Sequence, residues 1–304
     1  MTDERDRKID VAPATALDAT IASAAERAVT LPFPPGHFYS PIVDPESLDP
    51  ERVWPVDPVV LGIDFNDASH VDLLTRAFPR FHALYDYPDR LPESDSLDRF
   101  FTENSQFSWL DPHVLFVLLF DRKPRRVVEV GSGFSSLLIA DVNDRYFGSR
   151  MEVTCVEPYP RPFLARGLRG ITRLLEAKVQ EVDVALFESL RGGDVLFIDS
   201  SHVAKTGSDV NFLFFEALPR LAPGVLVHVH DIFLPHDYPK EWVLVENRSW
   251  NEQYLLQALL QGGAFEVVFG CTYAFHRHRD LVRRALDRPD GGAWGGGSFW
   301  IRKR

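Results

Sequence analysis

RVVEVGSGFSS, residues Arg126–Ser136, decides how the rest of the chain is read. Val127, Val128 and Val130 make a short apolar strand. Gly131-Ser132-Gly133 makes a turn, and Phe134 onward (FSSLLIADVN) reads as a helix. A strand, a glycine turn and a helix start together build a site for a nucleotide-like ligand. The glycines let backbone approach the ligand closely, and the free N–H groups of the helix start point at its polar or anionic end.

Working outward, strands and helices alternate. Strands are expected at 126–130, 152–158, 194–201, 224–231, 264–270 and 298–304, with a faint one near 174–182. Helices are expected over 134–143, 161–170, 209–221 and 249–262, the last with Ser249 as its N-cap. The end of the chain reads as a strand, a long loop containing GGAWGGG, and a final strand. Near-continuous apolar strands between amphipathic helices mean a parallel sheet covered on both faces. The fold class is therefore α/β, doubly wound. Before position 121 the pattern differs. Residues 1–30 hold one Ala-rich helical stretch, which suggests a homodimer contact because a short helix needs a surface to pack on. Residues 31–60 are dense in proline and extended; helical segments follow around 70–85 and 97–121. We read 1–120 as an extension that wraps the core, PFPPGHFYSP being a strap able to cover an acceptor, and 121–304 as the ligand-binding domain.

Composition narrows the function. Lys plus Arg number 33 against 44 Asp plus Glu, a net charge of −11, which argues against a phosphate-binding surface and against nucleic acid as partner. No apolar run is long enough for a membrane span, and the charged MTDERDRKID start lacks a signal core, so a cytoplasmic protein is expected. Cys155 and Cys271 sit in apolar contexts and read as buried free thiols.

Glu157 ends the second strand, where an acid can accept hydrogen bonds from both hydroxyls of a ribose. That suits NAD and S-adenosylmethionine alike. Three features favour the second: Ser136 stands where a dinucleotide fingerprint has its third glycine, Asp199 and Asp231 close the fourth and fifth strands, and the chain ends in two strands rather than a second set of βαβ units. VVEVGSGFSS, VTCVEP, VLFIDSSH and LAPGVLVHVHDIF, in that order, resemble the class I S-adenosylmethionine-dependent methyltransferases. The resemblance covers about 120–304 and implies a Rossmann-like, seven-stranded, mostly parallel sheet with an antiparallel last strand. FYSPI, FSW, HDIF and WNEQYLLQALL are further similar to bacterial small-molecule O-methyltransferases that tailor sugars, macrolides and cephalosporins.

The resemblance implies roles residue by residue. Glu129, Gly131, Ser132 and Gly133 would line the methionine part of the cofactor, Glu157 would hold the ribose, and Pro158 and Tyr159 would lie beside the adenine. Gln180 and Val182 would flank the adenine, and Asp199 would sit near the sulfonium. Methyl transfer is an in-line displacement, so the protein must align the acceptor and help deprotonate it. His202 and His230, after the fourth and fifth strands, are the candidate bases, with Asp199 and Asp231 orienting them; His228, one step deeper, reads as a core histidine. A divalent metal held by Asp199, His230 and Asp231 is an alternative, although Ile232 stands where metal-dependent patterns carry Asp or Asn. The expected activity is methylation of a small-molecule hydroxyl. Two rivals are a metal-dependent oxygenase on the same scaffold and a non-catalytic adenosylmethionine-binding protein.

Overall fold

The computed structural model describes residues 31–91, 99–286 and 295–304. The helix expected in 1–30 and most of GGAWGGG lie outside these residues. Contacts divide the chain into two units, Met1–Asp44 and Pro45–Arg304. In the first, Phe33 and Phe38 each stack on His37, and Tyr39 lies tilted against Phe38.

Seven strands form one sheet: β1 Arg126–Val130, β2 Glu152–Val156, β3 Arg173–Leu175, β4 Val195–Ile198, β5 Leu226–Val229, β6 Phe265–Gly270 and β7 Phe299–Lys303. Their order is β3-β2-β1-β4-β5-β7-β6. The first five are parallel, and β7 runs antiparallel between β5 and β6. This is the doubly wound, mostly parallel sheet expected from the apolar strand pattern.

Alternate residues of each strand feed two separate cores. Val127, Val153, Val195, Leu226 and Trp300 pack against one set of helices. That set comprises α1, in which Asp67–Asp72, Leu73–Ala77 and Phe78–Phe81 run on from one another, α2 (Leu110–Arg122) and α3 (Phe134–Phe147). Val128, Leu196, Val227 and Ile301 pack on the other face against α4, formed by Asp209–Phe212, Leu213–Ala217 and Leu218–Arg220, and α5 (Glu252–Gln261). Cys155 and Cys271 are free and buried, as expected.

Five expectations need correction. The helix expected over 161–170 is a single turn, Pro162–Ala165. The third strand is Arg173–Leu175, not 174–182; Val179–Glu181 is a 3-10 turn instead, its end closed by the Val182 N–H on the Val179 carbonyl. Only Leu110–Arg122 is helical in the described part of 97–121. The preceding turn is organised by Asn104, whose carboxamide donates to the Phe101 and Phe107 carbonyls and accepts from the Gln106 and Phe107 N–H groups. The segment between β6 and β7 is not simply a loop: it contains α6 (Cys271–Arg277) and α7 (Arg279–Leu286), which bury Ala274 and Val282. And α5 is capped at Asn251, two residues after Ser249, because the Asn251 and Glu252 N–H groups both donate to the His202 carbonyl.

Candidate active site

The chemistry gathers beyond the carboxyl ends of β1, β2, β4 and β5, where open α/β sheets bind ligands. The glycine turn after β1 is pressed against β4. The Gly131 N–H bonds the Val156 carbonyl at 3.0 Å and the Asp199 N–H bonds the Val130 carbonyl at 2.8 Å. Gly131 has φ +78°, and a Cβ there would fall 1.8 Å from the Asp199 carbonyl oxygen, so only glycine fits. At Gly133, by contrast, a Cβ would meet nothing within 4 Å. The turn thus offers open space directly over the start of α3.

Glu129 lies beneath this turn and is fully buried. It accepts from the Ser135 and Ser136 hydroxyls of the first turn of α3, at 2.7 and 2.5 Å, and from Cys155 Sγ. Burial raises its carboxyl to about 7 despite those donors. Glu129 therefore braces the loop from below and is spent on the protein's own hydroxyls. Glu157 stands at the end of β2 and bridges two backbone amides, Ser132 N at 3.1 Å and Tyr159 N at 2.8 Å. Each oxygen keeps a lone pair for a further donor. Pro158 is half-buried and Tyr159 is exposed beside it. Gln180 Nε2 reaches the Gly207 carbonyl, while Gln180 Oε1 is buried without a partner. Val182 packs against the second core.

On the other side of the turn, His202 follows β4 and is 6% exposed. Its backbone takes the left-handed conformation, φ +61°, as does that of Asp231, φ +56°, one residue after His230. Sharp turns of this kind re-aim side chains at the strand ends. His202 Nδ1 donates to Glu252 Oε2 at 2.9 Å. Its Nε2 lies 3.4 Å from both Asp199 Oδ1 and Asp231 Oδ2. The Trp250 ring covers it at 4.4 Å. Burial opposes the charge of His202, but the carboxylates of Asp199, Glu252 and Asp231 outweigh it and raise the imidazole to about 10. Burial likewise opposes the charge of Asp199, yet His230 and His202 beside it hold its carboxyl below the ordinary value. Burial pushes Asp231 and Glu252 up.

His230 is buried and differently engaged. Its Nε2 donates toward the Gln106 carbonyl at 3.3 Å, and its Nδ1 has no partner. Burial opposes its charge too, but Asp231, Asp199 and Asp111 leave the imidazole raised. Phe107, held by the Asn104 turn, lies 5.5 Å from its ring. His228 stacks on Phe197 at 3.8 Å and bonds Ser298 Oγ; burial drives it far down, so it is a neutral core residue, as its position one step deeper suggested. The expected metal centre gains no support. Among the described residues no group of three or more His, Cys, Asp or Glu side chains is arranged to hold an ion. The reason is visible at His230, whose Nε2 turns to a backbone carbonyl and stays 3.7 Å from Asp231 Oδ1.

Three residues escaped the sequence reading. Glu252 holds His202; a glutamate in a first helical turn reads from sequence as a dipole complement, so it gave no signal of a buried contact. Asp111 is buried at the start of α2 and accepts from the Gly297 and Ser298 N–H groups, fixing the entry to β7. Gln106 meets His230 through its backbone, which no side-chain motif announces.

The donor set fits an adenosyl amino acid: open space over Gly133, acceptor capacity on Glu157 and an unpartnered acceptor on Gln180. A methyltransferase-domain family model matches residues 128–232, which span the glycine turn through Asp231. An uncharacterised protein of Archaeoglobus fulgidus is 36% identical over 173 residues, covering 55% of this chain and 77% of that protein. Two solved structures are similar more loosely. A proposed O-methyltransferase from Klebsiella pneumoniae is 14% identical, covering 77% of this chain and 89% of its own, with TM-score 0.35. A proposed methyltransferase from Thermobifida fusca is 16% identical, covering 83% and 99%, with TM-score 0.39.

Proposed function

We propose that the chain, whose residues 128–232 match a methyltransferase-domain model, is a class I S-adenosylmethionine-dependent methyltransferase that methylates a hydroxyl of a small molecule, with His202 as the base. The observation that carries this reading is the His202 imidazole, buried at the end of β4 and held between Glu252 on one nitrogen and Asp199 and Asp231 on the other. When bound, S-adenosylmethionine supplies a methyl group made electrophilic by its sulfonium. Gly131, Ser132 and Gly133 would receive its amino-acid end, Glu157 its ribose, and Gln180 Oε1 a donor on its adenine.

His202 Nε2 is the group suited to take a hydroxyl proton. Its Nδ1 is committed to Glu252, so the proton that comes and goes sits on Nε2. Asp199, a third exposed, faces both this nitrogen and solvent, and would orient an acceptor hydroxyl. His230 suits the role less, because its Nε2 is engaged by a backbone carbonyl. A base raised to about 10 is mostly protonated at neutral pH and becomes competent as pH rises. The imidazolium it forms is stabilised by three carboxylates.

The test is incubation of the protein with S-adenosylmethionine carrying a labelled methyl group and a panel of phenols, sugars and catechols, followed by mass spectrometry. A labelled methyl ether, lost at least about 10²-fold in His202→Ala with cofactor affinity retained, is the expected result. Label transferred at an undiminished rate by His202→Ala rejects the assignment of the base.

A further inference from the structure

We infer that Glu252 is a positioning residue for His202, and that the first turn of α5 is the part that aims the His202 Nε2 between the acids closing β4 and β5. The inference deepens the proposed function and rests on that reading of His202.

Two adjacent residues grip His202 from both of its ends. Glu252 Oε2 accepts from the ring Nδ1 at 2.9 Å, and the N–H groups of Asn251 and Glu252 both donate to the His202 carbonyl, at 3.0 and 3.2 Å. Ser200 Oγ donates to the same Glu252 oxygen at 2.8 Å and accepts from the His202 N–H at 3.1 Å. Ring, carbonyl and amide are therefore all fixed, and a left-handed backbone that a histidine adopts only at a cost is over-determined by its surroundings. Asn251 extends the grip along the same loop, its carboxamide accepting from the Ala204 N–H at 2.6 Å. Gln253 crosses to the loop after β5, accepting from the Phe233 N–H at 2.6 Å and donating to the His236 carbonyl at 3.0 Å. One helix end thus ties together the two loops that carry Asp199 and Asp231.

A helix cap does not require what Glu252 provides. Its carboxylate is fully buried, and Oε1 has no partner. Burying a carboxylate with one bare oxygen is costly, and a neutral side chain would close the turn with less penalty. The arrangement makes sense as a choice of tautomer. A carboxylate only accepts, so it keeps the proton on Nδ1 and leaves Nε2 as the nitrogen that faces Asp199 from the β4 loop and Asp231 from the β5 loop. His230, beside Asp231, is the other charged group near this face, and the Trp250 ring closes the remaining side.

The experiment compares the full-length protein with Glu252→Gln and Glu252→Ala by ring-nitrogen NMR on 15N-histidine-labelled samples, using His202→Asn to assign the signal. Affinity for S-adenosylmethionine is measured by calorimetry, and turnover on whichever hydroxyl acceptor the panel identifies. Spectra are recorded above pH 10, because below it His202 is protonated on both nitrogens; there the neutral native ring is expected to carry its proton on Nδ1. Glu252→Gln, which can still accept through its amide oxygen, keeps that proton but with a less downfield shift, and Glu252→Ala gives mixed tautomers. Turnover falls in the order native, Gln, Ala, by about tenfold or more at the first step, with cofactor affinity unchanged. Unaltered ring-nitrogen signals in Glu252→Gln together with native turnover overturn the inference, as does a pure Nδ1–H tautomer in Glu252→Ala. The NMR readout needs no turnover, so it stands apart from a failure of His202 to act as the base.

Discussion

Gly131 is the residue on which the proposed cofactor end of the site depends, because no side chain fits between its Cα and the Asp199 carbonyl. Gly131→Ala adds a clash to a left-handed backbone that itself costs roughly 1–2 kcal/mol for a non-glycine residue. It is expected to abolish binding of S-adenosylhomocysteine in calorimetry, and retained affinity would show that the turn can shift. At His202 the prediction concerns pH. A base is competent only when deprotonated, and with the imidazole raised to about 10 the logarithm of kcat/KM should climb with unit slope from pH 7 and level off near pH 10. A plateau already reached at pH 7 would mean that another group takes the proton. The places of Gly131, Glu157 and Asp199 were legible because each directly follows a strand in the motif order, and His202 because it lies in the loop after β4. Sequence did not show the partners of Glu129, which accepts from Ser135 and Ser136 beneath the loop, since strand periodicity gives a side chain's face but not its partner.

Among elements, the joint between α3 and β2 hangs on Asn143. Its carboxamide donates to the Met151 and Gly170 carbonyls, at 2.8 and 2.7 Å, and accepts from the Met151 N–H at 3.0 Å, all in the core. Asn143→Ala leaves three buried backbone groups without partners and should cost roughly 3 kcal/mol, read as a lower midpoint in urea unfolding. A change under about 0.5 kcal/mol would mean that water replaces the amide. The same scale explains what the sequence conveyed of the fold. Six strands were readable because they are apolar on both faces. The third was misplaced because Arg173–Leu175 is a short edge strand, half-buried, with little pattern to register. Helices α6 and α7 were overlooked between β6 and the glycine-rich run, and the start of α5 was read at Ser249 because the cap that decides it is a backbone contact to His202 from a distant loop.

For the whole molecule, three buried groups illustrate how stability varies with pH. His202 titrates near 6.5 when unfolded and about 10 when folded, so its contribution is complete below pH 6.5 and is lost as pH rises through 10. Glu129 is raised from 4.5 to about 7, so its contribution is complete below 4.5 and is lost as pH rises through 7. His70, buried and lowered to about 4, runs the other way: its contribution is complete above 6.5 and is lost as pH falls through 4. Urea unfolding across pH should show stability declining from 7 to 10, with His202→Asn flattening that limb; a limb equally steep in the variant would place the titration elsewhere. The net charge of −11 argues against a nucleic-acid acceptor, and no helix among the described residues is long and apolar enough to cross a membrane. The proposed activity depends on the cradle formed by the β1 turn and Glu157 at the end of β2. Isothermal titration of the folded protein with S-adenosylhomocysteine tests it most directly. We predict saturable binding at one site per chain, weakened strongly in Glu157→Ala, and a well-folded sample that releases or absorbs no heat with this ligand or with S-adenosylmethionine would contradict it.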